Sequence, residues 1–230
     1  MLDSIAQSQP FWQFLLGSLV ALFPIVDPIG SIPFFLALTL EVPRPERDHL
    51  SRKVALYVVA ILLAFLLIGG GILRFFGISL DVVKIAGGIV IFNSAWRSME
   101  SQPRLSREDN QAAARKSEQS GDIAFMPMTV PLLAGPGAIA VTLGISAQAG
   151  RALTAEAALK LLAAALAIAA MGGITYLCLR SASFWVRVLG ETGIRALTRI
   201  LGLFILAIGV QLILDGLGSW LTDLSLAAAP

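Results

Sequence analysis

Residues Phe23–Thr39 read F-P-I-V-D-P-I-G-S-I-P-F-F-L-A-L-T, and Met126–Thr142 read M-P-M-T-V-P-L-L-A-G-P-G-A-I-A-V-T. Pro24, Pro28 and Pro33 in the first stretch match Pro127, Pro131 and Pro136 in the second, and Thr39 matches Thr142, all at one offset of 103 residues. The chain has 11 prolines in 230 residues, so three matches at one spacing mark an internal repeat. A weaker echo joins K-I-A-G-G-I-V-I, starting at Lys84, to R-I-L-G-L-F-I-L, starting at Arg199. There Lys84/Arg199 and Gly87/Gly202 share an offset of 115.

Both stretches lie in long apolar runs. The chain is 57% hydrophobic and 14% charged, with a mean hydropathy of +0.81. Soluble domains carry about a quarter charged residues. The composition therefore excludes a soluble enzyme, a disordered chain and a nucleic-acid module. The net charge of +2 gives no polyanion footprint. One cysteine, Cys178, excludes an internal disulfide, and one histidine, His49, excludes a histidine cluster. What remains is an all-α polytopic membrane protein.

About 20 apolar residues cross a bilayer core. Val54–Leu73 and Leu161–Leu179 are free of charge, as is Ile123–Ala149, while Pro10–Leu40 carries only Asp27. Two further runs are about Ile78–Trp96, with Asp81 and Lys84 near its start, and about Ile200–Leu221, with Asp215 near its end. The reading is six transmembrane helices, with no alternating ten-residue segments of a barrel. Asp3 and the absence of Lys or Arg before the first run argue against a cleavable signal peptide.

Six spans sort the 17 basic residues into two sets: thirteen in the loops on one side and four (Arg74, Lys84, Arg151, Lys160) on the other. Basic loops stay cytoplasmic. The expected location is the cell inner membrane, multi-pass, with both termini outside. The expected organisation is residues 1–100 as a first three-helix repeat, 101–122 as a cytoplasmic connector and 123–230 as a second repeat. Together they form one membrane domain.

Three spans per half turn the second half upside down. Inverted repeats with interrupted helices in matching places point to a transporter binding site. Proline removes an N–H and clashes with the carbonyl four residues back. In lipid the freed groups survive only inside protein or beside a water-filled cavity. Helices 1 and 4 are therefore expected to be broken, and their freed amides suit a small zwitterion. The substrate-binding candidates are Asp27, Pro28, Gly30 and Ser31 in the first break, Thr129, Pro131, Gly135, Pro136 and Gly137 in the second, and Asn93, read as a buried amide in the third span. Ser94 offers a further hydroxyl near the breaks, and Gln211 a second buried amide.

Asp27 is the deepest acid and a functional candidate by that fact. It has two compatible readings: a charge for a proton, cation or substrate ammonium, or an N-cap followed by Pro28 at the first helical position. Its mirror position is Val130, so the charge is not repeated. Asp81 and Lys84 read as a surface ion pair, Cys178 as a core residue and the four tryptophans as an interfacial belt.

The sequence resembles the MarC family of six-span inner-membrane proteins. The resemblance rests on F-P-I-V-D-P-I-G-S-I-P-F-F at Phe23–Phe35, I-A-G-G at Ile85–Gly88, P-L-L-A-G-P-G at Pro131–Gly137 and Q-L-I-L-D-G-L at Gln211–Leu217, in the family's order across essentially the whole chain. It implies Asp or Asn at position 27, and a likeness to secondary transporters of small neutral amino acids such as glycine and alanine. An exporter of another small metabolite and a non-transport membrane subunit are the alternatives. No phosphate loop is present. With no nucleophile–base pair or paired acids in the spans, the chain does not read as an enzyme. No catalytic or metal-ligating residue stands out, and no cofactor is expected beyond a coupling proton or sodium ion. Expected partners are a small-molecule substrate and the lipid bilayer, with homo-oligomerisation open and no nucleic acid.

A reporter that is active only in the cytoplasm, fused after Pro230, should stay silent; strong activity would overturn the orientation.

Overall fold

The computed structural model describes residues 11–39, 42–99, 123–149 and 154–227. The expected connector 101–122 lies outside the described residues. The chain is all-α, with no strand among the described residues. Its segments are α1 (Phe11–Val26), α2 (Ile32–Leu38), α3 (Arg44–Phe75), α4 (Leu80–Met99), α5 (Ala124–Leu133), α6 (Pro136–Ala149), α7 (Ala155–Arg180) and α8 (Ala182–Ala227).

By length and composition, α3, α7 and the Ala196–Thr222 part of α8 can each cross a bilayer. The pair α5–α6, bent by 63° at its break, makes a fourth if counted as one span. With 16 residues, α1 rises only about 24 Å at 1.5 Å per residue, short of a ~30 Å hydrocarbon core. The 20 residues of α4 have the length, diluted by Asp81, Lys84 and Asn93. Apolar side chains such as Val20, Leu67, Leu166, Phe204 and Leu214 face outward. An exterior of that kind needs a lipid surround.

Breaks fall where the prolines put them, at paired positions. Asp27 leaves the helix with φ +45, and Val130, its partner at the 103-residue offset, leaves it with φ −116 and ψ 121. Each is followed by a proline, Pro28 or Pro131. Downstream, the buried Thr39 donates its hydroxyl to the Phe35 carbonyl, and the buried Thr142 donates to that of Ala138, both at 2.7 Å. Donors and acceptors alike are 103 residues apart. The wide turns of α5 bond five residues back, Met128 N–H to Ile123 and Ala134 N–H to Thr129. Peptide bonds preceding Pro127 and Pro131 are cis. At Gly190 (φ 65, ψ 172) α8 turns, in a backbone region open to glycine.

The core lies between both broken segments and α3 and α7. Leu22, Ile32, Phe35, Leu62, Leu66, Met128, Leu133, Ile168, Met171 and Leu179 are fully buried there. Packing partners come in matched sets: α1 on α7 and α5–α6 on α3, and again α6 on α4 and α1–α2 on α8. The most extensive contact, α4 with α8, is a glycine seam. A Cβ at Gly88 would lie 2.6 Å from the Gly209 carbonyl, and one at Gly216 2.8 Å from that of Asp81. Without a hydrophobic drive between helices in lipid, such close backbone approach is what holds them together.

One end of the bundle is tied by Arg47, whose guanidinium donates to the Thr39 and Val42 carbonyls at 2.8 and 3.3 Å. Beside it Arg180 pairs with Asp48 at 3.6 Å. Here α2 and α7 end and α3 and α8 begin, bringing Arg44, Arg52, Lys53 and Arg187 to the same side.

Gly88→Ala should destabilise the protein by about 1–3 kcal/mol, because the added methyl meets backbone that cannot yield. Gly173→Ala, with open space around it, should be neutral or stabilising through helix propensity. Unfolding of both variants in mixed micelles checks this; equal effects would deny the seam.

Candidate functional site

The two breaks are satisfied in different ways. In the first, Asp27 N–H donates to the Phe23 carbonyl at 3.0 Å and ends α1. Its Oδ1 accepts the Gly30 N–H at 2.8 Å. The Ser31 N–H returns to the Asp27 carbonyl at 3.2 Å, and Ser31 Oγ donates to the Pro28 carbonyl at 2.8 Å. Residues 27–31 thus close one turn before α2. Asp27, Pro28 and Ser31 are buried, with Asp27 only 1% exposed and within electrostatic reach of the Cys178 thiol on α7.

This differs from a simple N-cap on a long second half-helix. That half-helix begins at Ile32, with Ser31 in the cap position. Asp27 caps the turn ahead of it, and its positive φ suits Asp or Asn above other side chains. Gly30 has to lack a Cβ, because one would collide with the Asp27 carboxylate.

The second break opens instead of closing. Pro131, Gly135, Pro136 and Gly137 line a cavity of about 190 Å³ together with Ile25 of α1, Val90, Ile91 and Ser94 of α4, and Ile205 of α8. Pro136 and Gly137 are the first residues of α6, so the positive end of that helix meets the cavity. A Cβ at Gly135 would strike the Pro131 carbonyl, so glycine lets the bend fold tightly. Thr129 is fully buried with its hydroxyl on the Ala124 carbonyl at 2.7 Å, across the interruption in α5.

Of the ten candidate residues, four therefore share the cavity wall, while Asp27, Pro28, Gly30, Ser31 and Thr129 serve the turns around it. Asn93 is exposed on α4, not buried in the core as expected; the inward stripe of that helix is Gly87, Gly88, Ile91 and Ala95. Its neighbour Ser94 reaches the cavity. Gln211 is likewise exposed and donates to Asp215 Oδ1 at 2.7 Å within α8. Ile25, Ile91 and Ile205 carry no signal in the sequence, since apolar wall residues look like any core residue there.

Broken apolar helices and a lipid-type exterior define an integral, multi-pass, all-α membrane protein. The chain belongs to the MarC family of integral membrane proteins, whose family pattern matches residues 12–221. It is 41% identical over 207 residues to a UPF0056 membrane protein of Methanocaldococcus jannaschii, covering 89% of this chain and 96% of that one. A UPF0056 membrane protein of Bacillus subtilis is 32% identical, over 90% of this chain and 95% of that one. One of Escherichia coli is also 32% identical, over 94% and 96%. No solved structure matches the chain.

Asp27→Asn should leave stability within about 1 kcal/mol, since the amide oxygen can accept the same hydrogen bond. Asp27→Leu should cost about 2–3 kcal/mol, from the lost bond and a left-handed residue without a polar side chain. Gly30→Ala should also destabilise, by collision with Asp27. Equal stability of Asp27→Leu and wild type in mixed-micelle unfolding would remove the capping role.

Proposed function

We propose that the chain is a secondary transporter of small neutral amino acids, of glycine or alanine size, in the cell inner membrane with both termini outside. The observation that carries this reading is the 190 Å³ cavity at the second break. At about 30 Å³ per water it has room for roughly six waters, the scale of a small amino acid with some hydration. Amides at the start of α6 favour the substrate carboxylate. Ser94 supplies a hydroxyl on the facing wall.

Six spans follow if α1–α2 and α5–α6 each count as one broken span, joined by α3, α4, α7 and α8. The paired threonine bonds, the paired break residues and the matched packing partners support two inverted halves. In this reading the first break is sealed and structural, and the second holds substrate. A proton or sodium gradient drives movement, no catalytic step is involved, and substrate and lipid are the partners.

Purified protein in proteoliposomes should take up labelled glycine or alanine from an amino acid panel under an imposed proton or sodium gradient. Ser94→Leu, which fills the cavity, should lower kcat/KM at least about tenfold, equivalent to about 1.4 kcal/mol, with expression unchanged. If no panel member moves, or if Ser94→Leu transports normally, the reading fails.

A further inference from the structure

A second cavity, also about 190 Å³, lies between the same helices α1, α4, α6 and α8 as the first. On α4 its wall is Lys84, where the first cavity has Ser94. Ten residues of helix place the two about 15 Å apart along the axis. The shift has one direction on all four helices: towards the N-termini of α1 and α4 and the C-termini of α6 and α8. Between the cavities α4 meets α6 closely. A Cβ at Gly87 would collide with that of Ala140, and one at Gly137 would lie 2.7 Å from Ile91 Cγ1. The two cavities are thus stacked on one line, separated by a thin contact layer.

The second cavity has more polar side chains on its wall. Gln13 and Ser18 of α1, Lys84, Gln148 of α6 and Asp215 of α8 line it. It holds one cation and one anion from different helices. Gly216, beside Asp215, abuts the Asp81 carbonyl of α4, which brings the two charged residues to the same seam. Lys84 Nζ donates to Asp81 Oδ1 at 3.2 Å, and an ammonium has three donors, so others remain for a ligand. The Asp215 carboxylate accepts from Gln211 at one oxygen and retains further acceptor sites. Asp215 is exposed and Lys84 half-buried, so both charges are accessible from the cavity, and two opposite charges sharing one wall fit a ligand that carries both.

We propose that this cavity is a vestibule that binds a small zwitterion, its carboxylate towards Lys84 and its ammonium towards Asp215, on the same path as the cavity at the second break. The ligand class rests on the transport reading above; the vestibule itself rests on its own geometry.

The test uses the full chain in lipid nanodiscs, where both faces are open to water, in a Cys178→Ala background. Gly17 and Gly144 line the vestibule, and the space where a Cβ would stand on each is open, so Gly17→Cys and Gly144→Cys serve as separate reporters for a hydrophilic maleimide. Both should be alkylated. L-Alanine at about ten times its Kd should slow alkylation about tenfold, since only the free fraction reacts. Propionate and ethylamine, each carrying one charge, should protect far less. Protection should vanish in Lys84→Gln and Asp215→Asn and return in Lys84→Arg. Unreactive reporters, absent protection, equal protection by propionate or ethylamine, or protection that survives both neutralisations would each overturn the vestibule. Uptake of alanine without protection removes the vestibule alone. Protection without uptake keeps the vestibule and removes the transporter reading.

Discussion

A broken helix inside hydrocarbon leaves amides and carbonyls that lipid cannot satisfy, and this chain meets that constraint twice. At the first break it answers with its own side chains. Asp27 receives the Gly30 amide and Ser31 covers the Pro28 carbonyl. At the second the bend of 63° is left facing a cavity. The fold around both is arranged to make these answers available: α7 buries the first turn, while α4 and α8 wall the second.

The two broken segments therefore share local features and differ in what they expose. Thr39 and Thr142 do the same work at the same spacing, as do the prolines that follow Asp27 and Val130. The substitution of a valine for an acid at the paired position removes the side chain that closes the turn. Val130 sits in an extended conformation, and the next helix starts at Pro136, one paired position later than Ile32 starts α2. Gly30 and Ser31, which complete the first turn, are likewise replaced by Leu133 and Ala134 at the paired positions, while Gly135 and Gly137 stand where the first stretch has Ile32 and Phe34.

The breaks were legible in the sequence because proline acts locally: a missing N–H and a fixed φ interrupt a helix whatever surrounds it. The family was legible for a related reason, since the same proline and glycine motifs that shape the breaks also carry the resemblance. Which side chains face the cavity was not legible. Asn93 and Ser94 are neighbours and both exposed, yet a helix turns about 100° between them, and only packing against α6 and α8 decides which one borders the cavity. Lys84 shows the same limit. Its pairing with Asp81 follows from three-residue spacing, whereas its place on a cavity wall depends on α1, α6 and α8, far away in the chain.

The glycine seam gives the helix contacts around the two cavities unequal stiffness. Between α4 and α8 the close contacts include backbone, Gly88 against the Gly209 carbonyl and Gly216 against that of Asp81, beside the side chains of Ile213 and Ile85. Between α4 and α6 they are largely side chain: Gly87 against the Ala140 methyl, and Gly137 against Ile91. A backbone contact can yield only by moving a whole helix, while an isoleucine can yield by changing rotamer. The contact layer between the two cavities is thus built from the softer kind, and the wall they share from the harder. On the proposed path, passage between the cavities asks for movement of Ile91 and of α6, which starts just after the bend at Gly135, and leaves the α4–α8 pair intact.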